Sequence, residues 1–116
     1  MKDAQKAAAE FWGVDATSIV AVEEMGELIQ ALMKYRRATH RKKSVPTTKS
    51  RTAILDNIAE EIADVRICLD EIVYLLSLKD EVKKWKIKKR EREDRRVVSE
   101  KRKREKKKRF KNVKGE

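Results

Sequence analysis

The chain has 116 residues, of which 40% are apolar and 44% charged, and it carries a net charge of +11. This length fits one compact domain, and the single cysteine, Cys68, excludes an intramolecular disulfide. The sequence also lacks a signal-peptide h-region and any run of about 18 apolar residues that spans a membrane. We therefore expect a soluble cytoplasmic protein with no membrane partner.

Apolar residues recur at helical spacing along most of the chain, and Gly and Pro are scarce. The pattern predicts helices over residues 2–12, ending at Gly13, over residues 17–37 and over residues 52–77, with a fourth helix opening after Ser77. Residues 39–51 read as a basic loop. We expect an all-α fold, a four-helix up-and-down bundle. Because the third helix is apolar on most sides, a homodimer or homotetramer should cover it.

The charge is concentrated at the end of the chain. Residues 97–116 hold ten Lys or Arg against three Glu, which accounts for +7 of the net +11. We assign residues 1–96 to the helical domain and residues 97–116 to a basic tail, either a helical extension or a disordered segment. Weak contact with nucleic acid through this tail and a purely solubilising role are the two alternatives.

Acidic residues interrupt two of the apolar stripes. Glu24 and Glu27 lie three apart in the second predicted helix, as do Glu61 and Asp64 in the third, so each pair shares a helix face. If these helices pack side by side, four carboxylates converge, and protons or a divalent cation must relieve their repulsion. An all-oxygen donor set favours Mg²⁺, which commonly shares its coordination sphere with substrate phosphates. The alternative is a solvated face whose acids pair with nearby lysines.

These acids stand in the motifs "EEMGE" and "EIAD", in the order E-E-x-x-E then E-x-x-D. In that order they resemble the MazG-like all-α nucleoside triphosphate pyrophosphatases. The longer runs "EEMGELIQALMKYRR" and "NIAEEIADVRICLDEI" are similar to the small single-domain branch of that family found in phages and Gram-positive bacteria. The resemblance implies a helical bundle assembled as a dimer or tetramer. It implies magnesium ligation, with manganese as a substitute, by Glu24, Glu27, Glu61 and Asp64, and outer-shell acids or a base at Glu23 and Glu60.

The resemblance also implies an activity: Mg²⁺-dependent hydrolysis of nucleoside triphosphates to the monophosphate and pyrophosphate, which clears non-standard or surplus nucleotides. Two features depart from the family pattern, namely the long basic connection between the acidic pairs and the terminal basic run. The competing hypothesis is a non-enzymatic basic helical protein that binds nucleic acid.

Five further residues are candidates for substrate contact. Lys34 and Lys88 offer cations to phosphate oxygens, Asn57 offers a hydrogen-bonding amide, and Trp12 and Trp85 offer rings on which a base can stack. The alternatives are a polar residue that points outward for Asn57 and core or interface packing for the two tryptophans.

Overall fold

A computed structural model describes residues 1–40 and 48–115 of the chain. Within these residues the structure has three helices and no strand: α1 (Asp3–Thr39), α2 (Thr48–Leu75) and α3 (Lys79–Lys114). The expectation of an all-α protein is therefore confirmed. Most of the predicted basic loop, residues 41–47, lies outside the described residues. α2 begins at Thr48, earlier than the predicted start at residue 52.

Helix α1 joins the first two predicted helices across a kink at Gly13. The backbone of Gly13 has φ 81° and ψ 168°, which lies outside the helical region. A residue with a Cβ atom rarely adopts this conformation, whereas glycine does so at little cost. The predicted break at Gly13 is thus present as a change of direction between two helical limbs, residues 3–12 and 14–39.

Helices α1 and α2 pack against each other to form a hairpin within one compact unit, Met1–Leu78. Their interface is lined by small side chains. The buried residues are Ala9, Thr17, Ala21 and Ala31 of α1, and Val65 and Cys68 of α2. Short side chains of this kind allow two helices to pack closely.

The end of α2 is closed by its own backbone. Ser77 has a positive φ of 53°, and the Leu78 N–H donates to the Val73 carbonyl at 2.9 Å while the Ser77 N–H donates to the Tyr74 carbonyl at 3.2 Å. This pair of hydrogen bonds is the Schellman arrangement, which satisfies carbonyls that the helix end leaves free.

Much apolar surface of this unit is exposed in the single chain. In one copy of the chain, Leu55, Ile67 and Leu69 of α2, the third predicted helix, are each more than 40% exposed. Among the described residues of this unit, α2 packs only on α1, and cover of its remaining apolar surface by a second copy stays a prediction.

Helix α3 belongs to a second unit, Lys79–Glu116. It continues through Lys114, so it covers most of the predicted basic tail, and none of its residues is buried. The proposed division of the chain at residue 96 stays a prediction. No helix in the described part of the chain is long and apolar enough to cross a membrane.

Candidate metal centre

Three carboxylates from the two helices of the hairpin meet at one point. Glu24 of α1 and Glu61 and Asp64 of α2 each offer one oxygen, and these oxygens all lie within 4.8 Å of one another. The three side chains are half-buried. We call these three residues the carboxylate triad.

The local sequence explains why these carboxylates point into the interface. Ala21 and Ala31, both buried, flank the acidic segment of α1. They lie three residues before Glu24 and four residues after Glu27, on the same side of the helix. On α2, buried Val65 and Cys68 follow Asp64 within one turn. The stripe that faces the partner helix therefore includes the acids.

Glu27 adjoins the triad. It is more exposed than the other three, yet it lies close enough to hydrogen bond with a protonated carboxyl of Glu24 or of Glu61. The structure thus brings together all four acids that the sequence pairs on two helices, with three at the centre and Glu27 at the edge.

The electrostatics of the cluster disfavour full ionisation in the absence of a cation. Burial is the largest cause that raises the pKa of Glu24, and repulsion from Glu27 and Asp64 follows. The pKa of Glu61 is raised first by burial and then by Glu27, Asp64 and Glu24. In both cases the protonated carboxyl also donates a hydrogen bond to a neighbouring acid.

Two oxygens of the triad have no donor. Glu24 Oε2 and Glu61 Oε2 are inaccessible to solvent and accept no hydrogen bond from any residue that the structure describes. Nor does a lysine or arginine of the described segments form an ion pair with any of the four acids, since the only such pair there is Arg104–Glu100. The alternative of exposed acids paired with lysines does not match this arrangement. Buried anionic oxygens without donors call for a proton or a metal ion.

The donor chemistry fits a hard divalent cation. All the donors are carboxylate oxygens, the ligand type that Mg²⁺ and Mn²⁺ prefer. Cys68, the nearest sulfur, is buried, and burial followed by repulsion from Glu71, Glu24 and Asp64 raises the pKa of its thiol. A thiol that resists ionisation is a poor metal ligand, so Cys68 acts as a small buried apolar residue.

A groove of about 440 Å³ runs from the triad along α1 and α2. Glu24 and Asp64 line one part of it, and Trp12, just before the kink, lines another. The Trp12 side chain is 67% exposed, and its ring meets that of Phe11 edge to face with centroids 5.0 Å apart. An exposed ring beside a groove that contains anionic oxygens is a surface on which a planar group can stack.

Two residues of the groove were not predicted from sequence. Thr17 is buried, and Glu71 lies one turn beyond Cys68. Glu71 could have been predicted, because Asp64, Cys68 and Glu71 are spaced four and then three residues apart and so share one face of α2. Thr17 has no such signal, because a lone threonine in a helix is usually exposed.

The predicted bases lie outside the triad. Glu23 and Glu60 each precede a triad residue in the chain, and both side chains are exposed. Consecutive residues of a helix point about 100° apart, so Glu23 and Glu60 project to the side of the cluster rather than into it.

The predicted substrate contacts are spread over both units. Asn57 is half-buried, one turn before Glu61, and Lys34 is exposed two turns beyond Glu27. Trp85 and Lys88 lie in α3, where the Lys88 Nζ atom is 5.3 Å from the centre of the Trp85 ring. Within the Met1–Leu78 unit, Trp12 lines the same groove as Glu24 and Asp64 of the triad.

No family model, curated protein or solved structure matches this chain. The function of the chain is therefore inferred from the chemistry of its site.

Proposed function

We propose that this protein is a Mg²⁺-dependent nucleoside triphosphate pyrophosphohydrolase of the MazG-like type. The observation that carries the proposal is the carboxylate triad, whose three oxygens from Glu24, Glu61 and Asp64 lie within 4.8 Å of one another. Two buried oxygens without a donor add to it. The order of the acidic motifs along the chain supports the same activity.

Glu24, Glu61 and Asp64 would hold the metal ion, with Glu27 as a fourth ligand at the edge. A bound Mg²⁺ would supply positive charge to phosphate oxygens and lower the pKa of water. Because magnesium keeps part of its coordination sphere for substrate phosphates, a triphosphate is a better match to the triad than an uncharged ligand. The adjoining groove accommodates the nucleoside, with Trp12 available to stack on the base.

The proposed reaction is attack of water on the α-phosphorus. The oxygen of water forms a bond to phosphorus, the bond from phosphorus to the bridging oxygen breaks, and pyrophosphate leaves. Glu23 or Glu60 accepts the proton of the attacking water. Because both side chains are exposed beside the triad, the one that acts must turn toward the bound substrate.

The proposal includes a homo-oligomer. The side of α1 that faces away from α2 has an uninterrupted apolar stripe, in which Ile19, Val22 and Ile29 are each more than 60% exposed. A patch of this kind marks an interaction surface. A second copy is the occupant that we propose, since two hairpins together supply the four helices of a bundle.

The oligomer is tested by sedimentation velocity. Val22→Glu and Ile29→Glu place charges in the apolar stripe and should shift the protein to monomer. Glu23→Gln, at an exposed position outside the stripe, should leave the sedimentation coefficient unchanged. A wild-type protein that sediments as a monomer at every concentration would refute the assembly.

The activity is tested by measuring pyrophosphate release from each common and several modified nucleoside triphosphates, with and without Mg²⁺. We expect release only with the metal. Glu61→Gln and Asp64→Asn should each lower the rate by at least about 100-fold. The matched control is Asp70→Asn, which removes an exposed carboxylate from the same helix and should leave the rate unchanged.

Circular dichroism and magnesium titration separate loss of fold from loss of a ligand. Variants that keep their helicity but no longer bind Mg²⁺ support the assignment of the triad. Metal-dependent release that survives in both triad variants would refute the site. Absence of release from every triphosphate would refute the activity.

A further inference from the structure

The net positive charge of this protein comes from its last 38 residues, nearly all of which belong to α3. Residues 79–116 hold twenty Lys or Arg and eight Asp or Glu, a net charge of +12, whereas residues 1–78 hold eleven and twelve, a net charge of −1. The division coincides with the boundary between the two structural units at Leu78. The charged region is therefore a complete helix rather than only the last twenty residues.

The charges are not spread evenly around α3. At 3.6 residues per turn, an arc of about 140° contains eleven Lys or Arg between Lys84 and Lys114 and no acid. We call this arc the basic face. Its cations recur at spacings of three and four residues, as in Lys88, Arg92 and Arg95.

Beyond its first turn, the acids of α3 lie on the rest of its circumference. The five that follow residue 81 are Glu91, Glu93, Asp94, Glu100 and Glu105, and all project outside the basic face. Segregation of this kind leaves one side of the helix with a continuous positive potential, which an even mixture of the same residues does not produce.

The cations of the basic face are accessible and unneutralised. Every residue from 83 to 115 is exposed. The one ion pair between side chains in the described part of the chain joins Arg104 to Glu100, with Nε and Oε1 3.2 Å apart, and both of these residues lie off the face. The charges of the face are thus free to meet an external anion.

Two aromatic rings lie on the same face, one near each end. The Lys88 Nζ atom is 5.3 Å from the centre of the Trp85 ring, and the Lys114 Nζ atom is 4.9 Å from that of Phe110. Of the other apolar residues of α3, Val113 also lies on this face, whereas Val82, Ile87, Val97 and Val98 point to other sides. α3 therefore has no apolar side to insert into a lipid bilayer, which an interfacial membrane helix requires.

We propose that the basic face of α3 binds the phosphate backbone of duplex nucleic acid. From Lys84 to Lys114 the face is about 45 Å long at 1.5 Å per residue, which corresponds to about 13 base pairs at 3.4 Å per phosphate of one strand. A continuous row of cations along one helix face can neutralise the phosphates that it meets along a duplex. Contacts to phosphate oxygens carry no sequence information, so we expect binding through this face to be largely independent of sequence.

The test uses the full chain and fluorescently labelled duplexes of about 20 base pairs, longer than the roughly 13 that the face spans. DNA and RNA duplexes of two unrelated sequences are titrated by fluorescence anisotropy at several salt concentrations from 50 to 200 mM. The affinities for the two sequences should agree within about threefold. If the face makes about five phosphate contacts, affinity should fall about 500-fold across this salt range.

One variant replaces five cations of the basic face with glutamine. The substitutions are Lys88→Gln, Arg92→Gln, Arg95→Gln, Lys103→Gln and Lys106→Gln. Since glutamine has nearly the helix propensity of lysine and arginine, α3 should keep its helicity, which circular dichroism checks.

The matched control removes the same charge from the opposite side of the helix. Its substitutions are Lys83→Gln, Lys86→Gln, Arg90→Gln, Lys101→Gln and Lys108→Gln. If the face is the contact surface, the face variant should bind at least about 10-fold more weakly than this control. The slope of log affinity against log salt concentration should also be shallower for the face variant, by an amount that corresponds to the loss of as many as five phosphate contacts.

Three results would overturn the proposal. Equal weakening in the two variants means that net charge alone attracts the duplex. No binding of the wild type at 50 mM salt means that the face is only solvated. Binding to anionic lipid vesicles but to neither duplex assigns the face to a membrane surface instead.

Discussion

The substitution Gly13→Ala tests the geometry that forms the groove. Gly13 has φ 81° and ψ 168°, and no atom lies within 4 Å of a Cβ placed there. A clash is therefore not the cost of the substitution. The cost is the backbone conformation itself, which residues other than glycine adopt only at about 1–3 kcal/mol.

The strained variant has two ways to relax, and both alter the site. The limb of residues 3–12 detaches from α2, which exposes Ala9 and breaks the hydrogen bond that the Tyr74 hydroxyl donates to Glu10. Alternatively, residue 13 becomes helical and the limb changes direction. In either case Trp12 leaves its position in the groove, so KM for the triphosphate should rise.

The magnitude follows from the size of the unit. For a domain of 60–100 residues, 1 kcal/mol corresponds to about 4–8 °C in Tm, so Gly13→Ala should lower Tm by roughly 5–20 °C in a thermal scan of the circular dichroism at 222 nm. The sign is decisive. Alanine at an ordinary helical position stabilises by about 1 kcal/mol relative to glycine, so a variant with a Tm equal to or above that of the wild type would refute the kink.

Three further outcomes are expected. In the absence of metal, the folded protein binds protons at Glu24 and Glu61 more tightly than the unfolded chain does, because folding raises both pKa values. The contribution of these two groups to the free energy of unfolding is therefore complete below about pH 4.5 and is lost as the pH rises above it. Urea titrations should show the wild type losing stability from pH 4.5 to 7 relative to the double variant Glu24→Gln/Glu61→Gln, and an equal slope for both proteins would contradict the shift. The buried Cys68 thiol should react with a disulfide reagent at least about 10-fold more slowly in the folded protein than in urea, and equal rates would show that it is exposed. A chain that ends at residue 96 should release pyrophosphate at the full-length rate, because the triad and the groove lie in the Met1–Leu78 unit; a large loss of rate would place part of the site in the removed segment.

The apolar period of the sequence predicts the helices and the convergence of the acids. Spacing of three and four residues decides which side chains share a face, and Glu24, Glu61 and Asp64 were assigned to inward-facing stripes on that basis alone. The break at Gly13 also follows from the sequence, since glycine between two amphipathic segments marks an end or a bend. In both cases a local rule determines the result.

The sequence was less informative where burial does not control structure. α2 begins at Thr48, in a polar segment without apolar period. α3 continues through Lys114 with no buried residue, because lysine, arginine and glutamate have good helix propensity without any packing. Apolar periodicity therefore identifies the helical segments that pack and underestimates the length of helix that does not pack.

How far an apolar side chain is buried also depends on whether another molecule covers it, which the sequence of one chain does not reveal. An apolar stripe in the sequence predicts that a side chain will be covered, but not whether the cover comes from the same chain or from a second copy. Ile19 and Val22 of α1 and Ile67 of α2 belong to the apolar residues that recur at helical spacing, and each is about half or more exposed in one copy. Cover of these side chains is therefore part of the proposed assembly and not of the single chain.

The proposed metal ligands and the proposed oligomer interface lie on opposite sides of α1. The side that faces α2 has small residues and the acids, and both helices that supply the triad belong to one chain. The opposite side has the exposed aliphatic stripe and no member of the triad. Dissociation of the proposed oligomer should therefore lower the stability of the hairpin while leaving the three metal ligands of each copy in place. It follows that a monomeric variant such as Val22→Glu should still bind Mg²⁺ through the triad, with an affinity weakened only as far as the hairpin itself is less folded.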